Sequence, residues 1–160
     1  MKKILLITTL FFTILGFSQT SGNAKADELI KQIQQQQNSK SSISFTFNKK
    51  TYKDKASFLD TDKKTFSIGT SLLSEKIMTT QINLIVDKKK TGTYAIVAGN
   101  KNGSVVVISG KYYQFVGTVK LVVTGKKVAG TFAGELYEIK KGKGRPDAKS
   151  SGPISGSFAE

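Results

Sequence analysis

Residues 128–134 read VAGTFAG, and residues 154–159 read ISGSFA. Each copy sets a phenylalanine two positions after a glycine. On a β-strand alternate residues share a face. Val128, Gly130, Phe132, Gly134 and Leu136 therefore point one way, and Ala129, Thr131 and Ala133 the other. In the second copy Ile154, Gly156 and Phe158 share a face, opposite Ser155, Ser157 and Ala159. If the two strands are antiparallel neighbours with Phe132 across from Gly156, then Phe158 falls across from Gly130. Each ring then covers the bare backbone of the opposing glycine, a known way to stabilise glycine in a sheet. Thr131 and Ser157 pair on the other face. That register is symmetric about Gly144, which lies within the connection KKGKGRPDAKSSG (140–152), whose composition is that of a loop. The competing reading, a glycine-rich phosphate cradle, needs free backbone N–H groups leading into a helix N-terminus. No helical pattern follows either copy, so packing is the better account.

The same alternation runs outward from there. In ISFTF (43–47) Ile43, Phe45 and Phe47 alternate with Ser44 and Thr46, followed by a turn at Asn48-Lys49-Lys50. ASFLD and TFSIGT are short strand candidates. QINLIV and GTYAIVA flank the charged turn Asp87–Lys90, and SVVVIS follows the turn-rich Gly99–Gly103. YYQFVGTVKLVV meets VAGTFAGELYEI across Thr124-Gly125-Lys126-Lys127, and PISGSFAE closes the chain. These are about nine or ten short segments rich in β-branched residues, and none is separated from the next by a helix long enough to cross between parallel strands. An all-β fold follows, an antiparallel sandwich or small barrel.

The N-terminal segment obeys a different rule. Lys2 and Lys3 precede the uncharged apolar run Ile4–Phe17, and Gly16 and Ser18 are the small residues of a cleavage site before Gln19. This is the pattern of a secretory signal peptide over residues 1–18. The run is shorter than the about 20 apolar residues that span a membrane. Residues 19–42 carry a brief helical stripe (Ala26, Leu29, Ile30, Ile33) that runs into a Gln/Ser-rich linker. Residues 43–160 then form one β domain, exported to the periplasm or beyond, with no membrane span left after cleavage.

Composition excludes several chemistries. The chain has no cysteine, so neither disulfides nor a lipid-modified N-terminal cysteine are expected. With no histidine either, thiolate nucleophiles, imidazole bases and common zinc sites are out of reach. No tryptophan supplies a stacking platform. Glu135 and Glu138, three apart on a strand, face opposite ways and make no acid/base pair. The expectation is a non-catalytic module that needs no cofactor and no metal.

The charge is lopsided, with 25 Lys+Arg against 11 Asp+Glu. Losing Lys2 and Lys3 with the signal peptide lowers the formal net charge of +14 by two, to +12. Such charge favours acidic envelope surfaces, lipid or lipopolysaccharide. Specific nucleic-acid recognition is not expected, because it prefers the arginine fork and Arg145 is the only arginine. The best-defined basic patch, and the candidate ligand-binding set, is Lys140, Lys141, Lys143 and Arg145. The simpler reading of that patch is a solvated connection. A carrier of lipid or another apolar ligand is the alternative, since VVVI (105–108) and LVV (121–123) are apolar on both faces, as a barrel around a cavity would tolerate.

The order FTFNKKTY, TGTYAIVAG, GTVKLVV–turn–VAGTFAGEL and PISGSFAE resembles a group of small exported β-rich proteins of Bacteroidetes-type bacteria, a domain of unknown function, over about residues 43–160. Many members of that group look like lipoproteins. This chain lacks the cysteine, so the resemblance implies a soluble secreted or periplasmic state. It brings no catalytic residues with it.

Overall fold

The glycine–phenylalanine register expected from the two echoed phrases is present residue for residue. Phe132 pairs with Gly156, Phe158 with Gly130 and Thr131 with Ser157, on adjacent antiparallel strands. The computed structural model describes residues 31, 40–60, 65–71, 79–98, 103–140 and 146–160. The expected signal peptide, and all but Lys31 of the expected helix, lie outside the described residues.

Among the described residues ten strands follow one another: β1 Ser42–Phe47, β2 Lys50–Asp54, β3 Ala56–Asp60, β4 Phe66–Thr70, β5 Thr80–Val86, β6 Gly92–Ile96, β7 Val105–Ile108, β8 Lys111–Thr124, β9 Lys127–Glu138 and β10 Gly152–Ala159. All pairings are antiparallel. The order across the sheet is β2-β1-β10-β9-β8-β7-β5-β4-β3, with β6 added on β8.

The two ends of that order, β2 and β3, are halves of one run of chain that bends at Lys55. The β2 half pairs with β1, Ile43 opposite Asp54. The ladder continues one step, with Ala56 N–H donating to Ser41 O at 3.4 Å and Ser41 Oγ donating to Ala56 O at 2.9 Å. The β3 half pairs with β4, and Ser71 N–H donates to Lys55 O at 2.8 Å. The sheet thus curls into a nearly closed barrel, which leaves few strand edges to template aggregation.

Strand β2 is the element that the sequence hides. In KTYKD only Tyr52 supplies an inward apolar group, stacking on Phe45 with ring centroids 5.0 Å apart. The expected turn at Asp87–Lys90 does not join ladder partners, and residues 99–102 of the expected Gly99–Gly103 turn lie outside the described residues. Instead β7 and β6 lie end to end along one edge of β8. Between them sits buried Ser104, whose carbonyl accepts from Phe115 N–H and whose Oγ accepts from Ile85 N–H, each at 3.0 Å.

Three two-residue hairpins set the register. Asn48-Lys49 (φ 49° and 63°) joins β1 to β2, Ser109-Gly110 (φ 52° and 75°) joins β7 to β8, and Gly125-Lys126 joins β8 to β9 with φ 62° at Gly125. Positive φ at both central residues matches the right-handed twist of the flanking strands, and a lone positive φ at the first is the related primed turn.

The barrel interior is a packed core. Ile43, Phe45, Phe66, Ile68, Ile82, Leu84, Val106, Phe115, Val119, Leu121, Phe132, Leu136, Ile154 and Phe158 belong to one buried cluster. Each such side chain contributes about 1.5–3 kcal/mol by leaving water. A Cβ added at Gly156 would lie 2.5 Å from Phe132 Cζ, and one at Gly130 would lie 2.6 Å from Phe158 Cζ. Phe115 repeats the motif over Gly134, at 2.9 Å. Three rings therefore occupy space that three glycines leave open. Of the run LVV, Leu121 points in and Val122 points out, 51 % exposed, so it alternates like any half-buried strand.

Candidate binding face

Along β1, β10, β9 and the 117–124 half of β8, inward residues alternate with outward ones, and in this part of the wall the outward set is mostly small and hydroxylic. One row crosses six strands: Lys53 (β2), Ser44 (β1), Ser157 (β10), Thr131 (β9), Lys120 (β8) and Thr93 (β6). The next row reads Thr51, Thr46, Ser155, Ala133, Thr118 and Ala95. Thr46 and Thr51 share a hydrogen bond of 3.0 Å between their hydroxyls. Because these side chains are short, the wall is recessed into an open trough of about 650 Å³. Its lining includes Ser44, Thr46, Thr118, Lys120, Thr131 and Ser157. Lys53 and Lys120 are both exposed and take part in neither of the two described ion pairs.

A smaller cleft of about 230 Å³ opens beside β2, where this strand parts from the ends of β4 and β5. Tyr52 forms part of its lining with Lys50, Thr70 and Thr80, and Lys50 Nζ lies 5.2 Å from the Tyr52 ring centroid. The cation over that ring and Phe45 beneath it leave little free aromatic surface for a ligand to stack upon.

The basic loop singled out in the sequence is only partly described. Lys141, Lys143, Gly144 and Arg145 lie outside the described residues. Lys140 is described, and its ammonium meets Asp147 Oδ2 at 2.8 Å. The hydrogen bond to Asp147, then that carboxylate's charge, raises the Lys140 pKa above its ordinary 10.5. The bridge Ile139–Pro146 and the bond from Asp147 N–H to Glu138 O, 2.8 Å, fasten the base of the loop. Lys140 thus acts as a clamp at the loop's root.

Glu135 and Glu138 fall on opposite faces as expected. Glu135 faces outward and accepts a hydrogen bond from Ser150 Oγ. Glu138, opposite Tyr113, pairs with Lys111 at 3.8 Å. Burial, then the charge of Glu138, pushes the Tyr113 phenol above its ordinary 10.0. Among the described residues no group of three or more His, Cys, Asp or Glu is placed to hold a metal ion, and no helix is long and apolar enough to cross a membrane.

Sequence reasoning placed Thr131 opposite Ser157 but did not extend the row. The signal was available in the polar half of the alternation: Ser44 and Thr46, Thr118 and Lys120, Ser155 and Ser157 are all spaced by two. No protein-family model, curated protein or solved structure matches this chain.

Proposed function

We propose that this chain is an exported, non-catalytic binding module that meets acidic envelope surfaces through the outer wall of its barrel. The observation that carries this reading is the recessed hydroxyl face with Lys53 and Lys120 in one row, on a strongly basic protein. A surface of this kind offers donors and positive charge, which acidic headgroups and sugars accept. The non-catalytic reading is supported by the two glutamates of β9, which sit on opposite faces and are each engaged elsewhere. The carrier reading gains little from a barrel interior occupied by phenylalanines and aliphatic side chains, with both described clefts open to the outside.

The test is co-sedimentation of the purified protein with vesicles of phosphatidylglycerol, with vesicles of phosphatidylcholine, and with lipopolysaccharide, at low and high salt. Retention on one of the acidic materials that falls as salt rises is the expected result, because screening shortens the reach of surface charge. Equal retention on neutral vesicles, or none on any material at low salt, would overturn the proposal.

A further inference from the structure

Resting on that reading, we infer that the trough is a docking site for one kind of occupant: a linear acidic polysaccharide lying across the strands. The direction comes from the register. Lys53, Ser44, Ser157, Thr131 and Lys120 belong to five consecutive strands and form one line. Neighbouring strands are about 4.8 Å apart, so the two ammonium groups stem from backbone positions about 19 Å apart, with a hydroxyl at each step between. A sugar chain is a run of rings that repeats hydroxyls at a comparable step, each able to donate and accept. Serine and threonine hydroxyls complement it in both senses. Carboxylates or sulfates on that chain meet the lysines.

Three features favour this occupant over others. No outward residue of the two rows is aromatic, whereas single-stranded nucleic acid relies on stacking platforms. The hydroxyls are recessed, which admits a strand-like polymer but sets them back from a flat bilayer surface. Lys120 lines the trough, and Lys53 stands one strand beyond its edge at the end of the same row, so a linear molecule that leaves the trough over β2 meets the second ammonium group. A neutral glycan would leave both ammonium groups without partners. Charge therefore selects the acidic class.

The experiment titrates polygalacturonate oligosaccharides, and dextran oligosaccharides as the neutral control, into 15N-labelled protein. Expected are amide shifts concentrated at Ser44, Thr118, Lys120, Thr131, Ser155 and Ser157 with the acidic probe only. The K53Q/K120Q variant weakens affinity by about fivefold for each lysine, the scale of one cation at an acidic surface. The S157A/T131V variant, which keeps both charges, weakens it as well, while K140Q leaves it unchanged. Circular dichroism of each variant confirms that the barrel is intact, and a variant that fails this check is replaced by the single substitution at the same site. Equal binding of dextran overturns the inference, and so does shift mapping to another surface. Binding that K140Q removes and K53Q/K120Q leaves intact keeps the envelope-surface reading but removes the trough as its site. Binding to acidic vesicles with none to polygalacturonate does the same. Absence of binding to every acidic material removes both.

Discussion

Replacing Gly156 by alanine tests the packing rule that pairs β10 with its neighbours. The new methyl would lie 2.3 Å from Ser44 O, 2.5 Å from Phe132 Cζ and 2.8 Å from Phe132 Cε1. The ring has freedom to swing, but the Ser44 carbonyl belongs to the strand paired with β10 and moves only if that pairing does. Overpacking of this kind costs about 1–3 kcal/mol, and the backbone contact places G156A near the upper end. Loss of glycine's freedom in the unfolded chain returns about 0.4–1 kcal/mol. The net expectation is destabilisation by about 2 kcal/mol, read as a lowered urea midpoint. F132A alone should cost about 3–5 kcal/mol through the lost ring and the space it leaves. In the double variant the methyl has no ring to meet, so the two losses should fall short of their sum by about 1 kcal/mol, beyond the 0.3–0.5 kcal/mol scatter of independent sites. Wild-type stability in G156A, or strict additivity in the double variant, would refute ring-over-glycine packing as the cause of the repeated phrase.

Two further outcomes follow from local geometry and titration. Lys49 holds φ 63° in the β1–β2 turn, a region that costs a side-chain-bearing residue about 1–2 kcal/mol. K49G, which restores the favoured Asn-Gly pair, should raise the urea midpoint by an amount worth about 0.5–1 kcal/mol; an unchanged or lowered midpoint would show the turn to be unstrained. On the alkaline side, Lys140 and Tyr113 both have folded pKa values raised above the ordinary 10.5 and 10.0. Each therefore holds its proton more tightly folded than unfolded. Their contributions are complete below those ordinary values and are lost as pH climbs through the higher folded ones. Urea midpoints should stay level from neutral pH to about 10 and then decline, less steeply in D147N and in Y113F. A midpoint that rises over that range, or a decline identical in all three proteins, would contradict these assignments.

Much of the barrel was legible because its strands alternate cleanly. Ile43, Phe45 and Phe47 announce β1, and the two glycine–phenylalanine phrases by themselves specify the β9–β10 register. What stayed hidden has physical causes. Strand β2 is polar except for Tyr52, so its alternation reads as a lysine-rich turn. The pairing of β6 and β7 with one strand depends on β8 being long enough to serve both, a length that local pattern does not reveal as shared. The hydroxyl face was invisible for a different reason: rows across a sheet join residues far apart in sequence, and they appear only once every register is known. Lys140 misled in the opposite sense, since its neighbours suggested an open cationic patch while Asp147, further along the same loop, claims its ammonium.

The placement of β10 has a temporal consequence. Ile43 of the first strand has Phe158 of the last as its partner, and β10 stands between β1 and β9. The ring cannot shut before β10 has left the ribosome. Chains synthesised only as far as β9 must therefore wait with β1 and β9 unjoined, and closure is slow, as expected where partners are so distant along the chain.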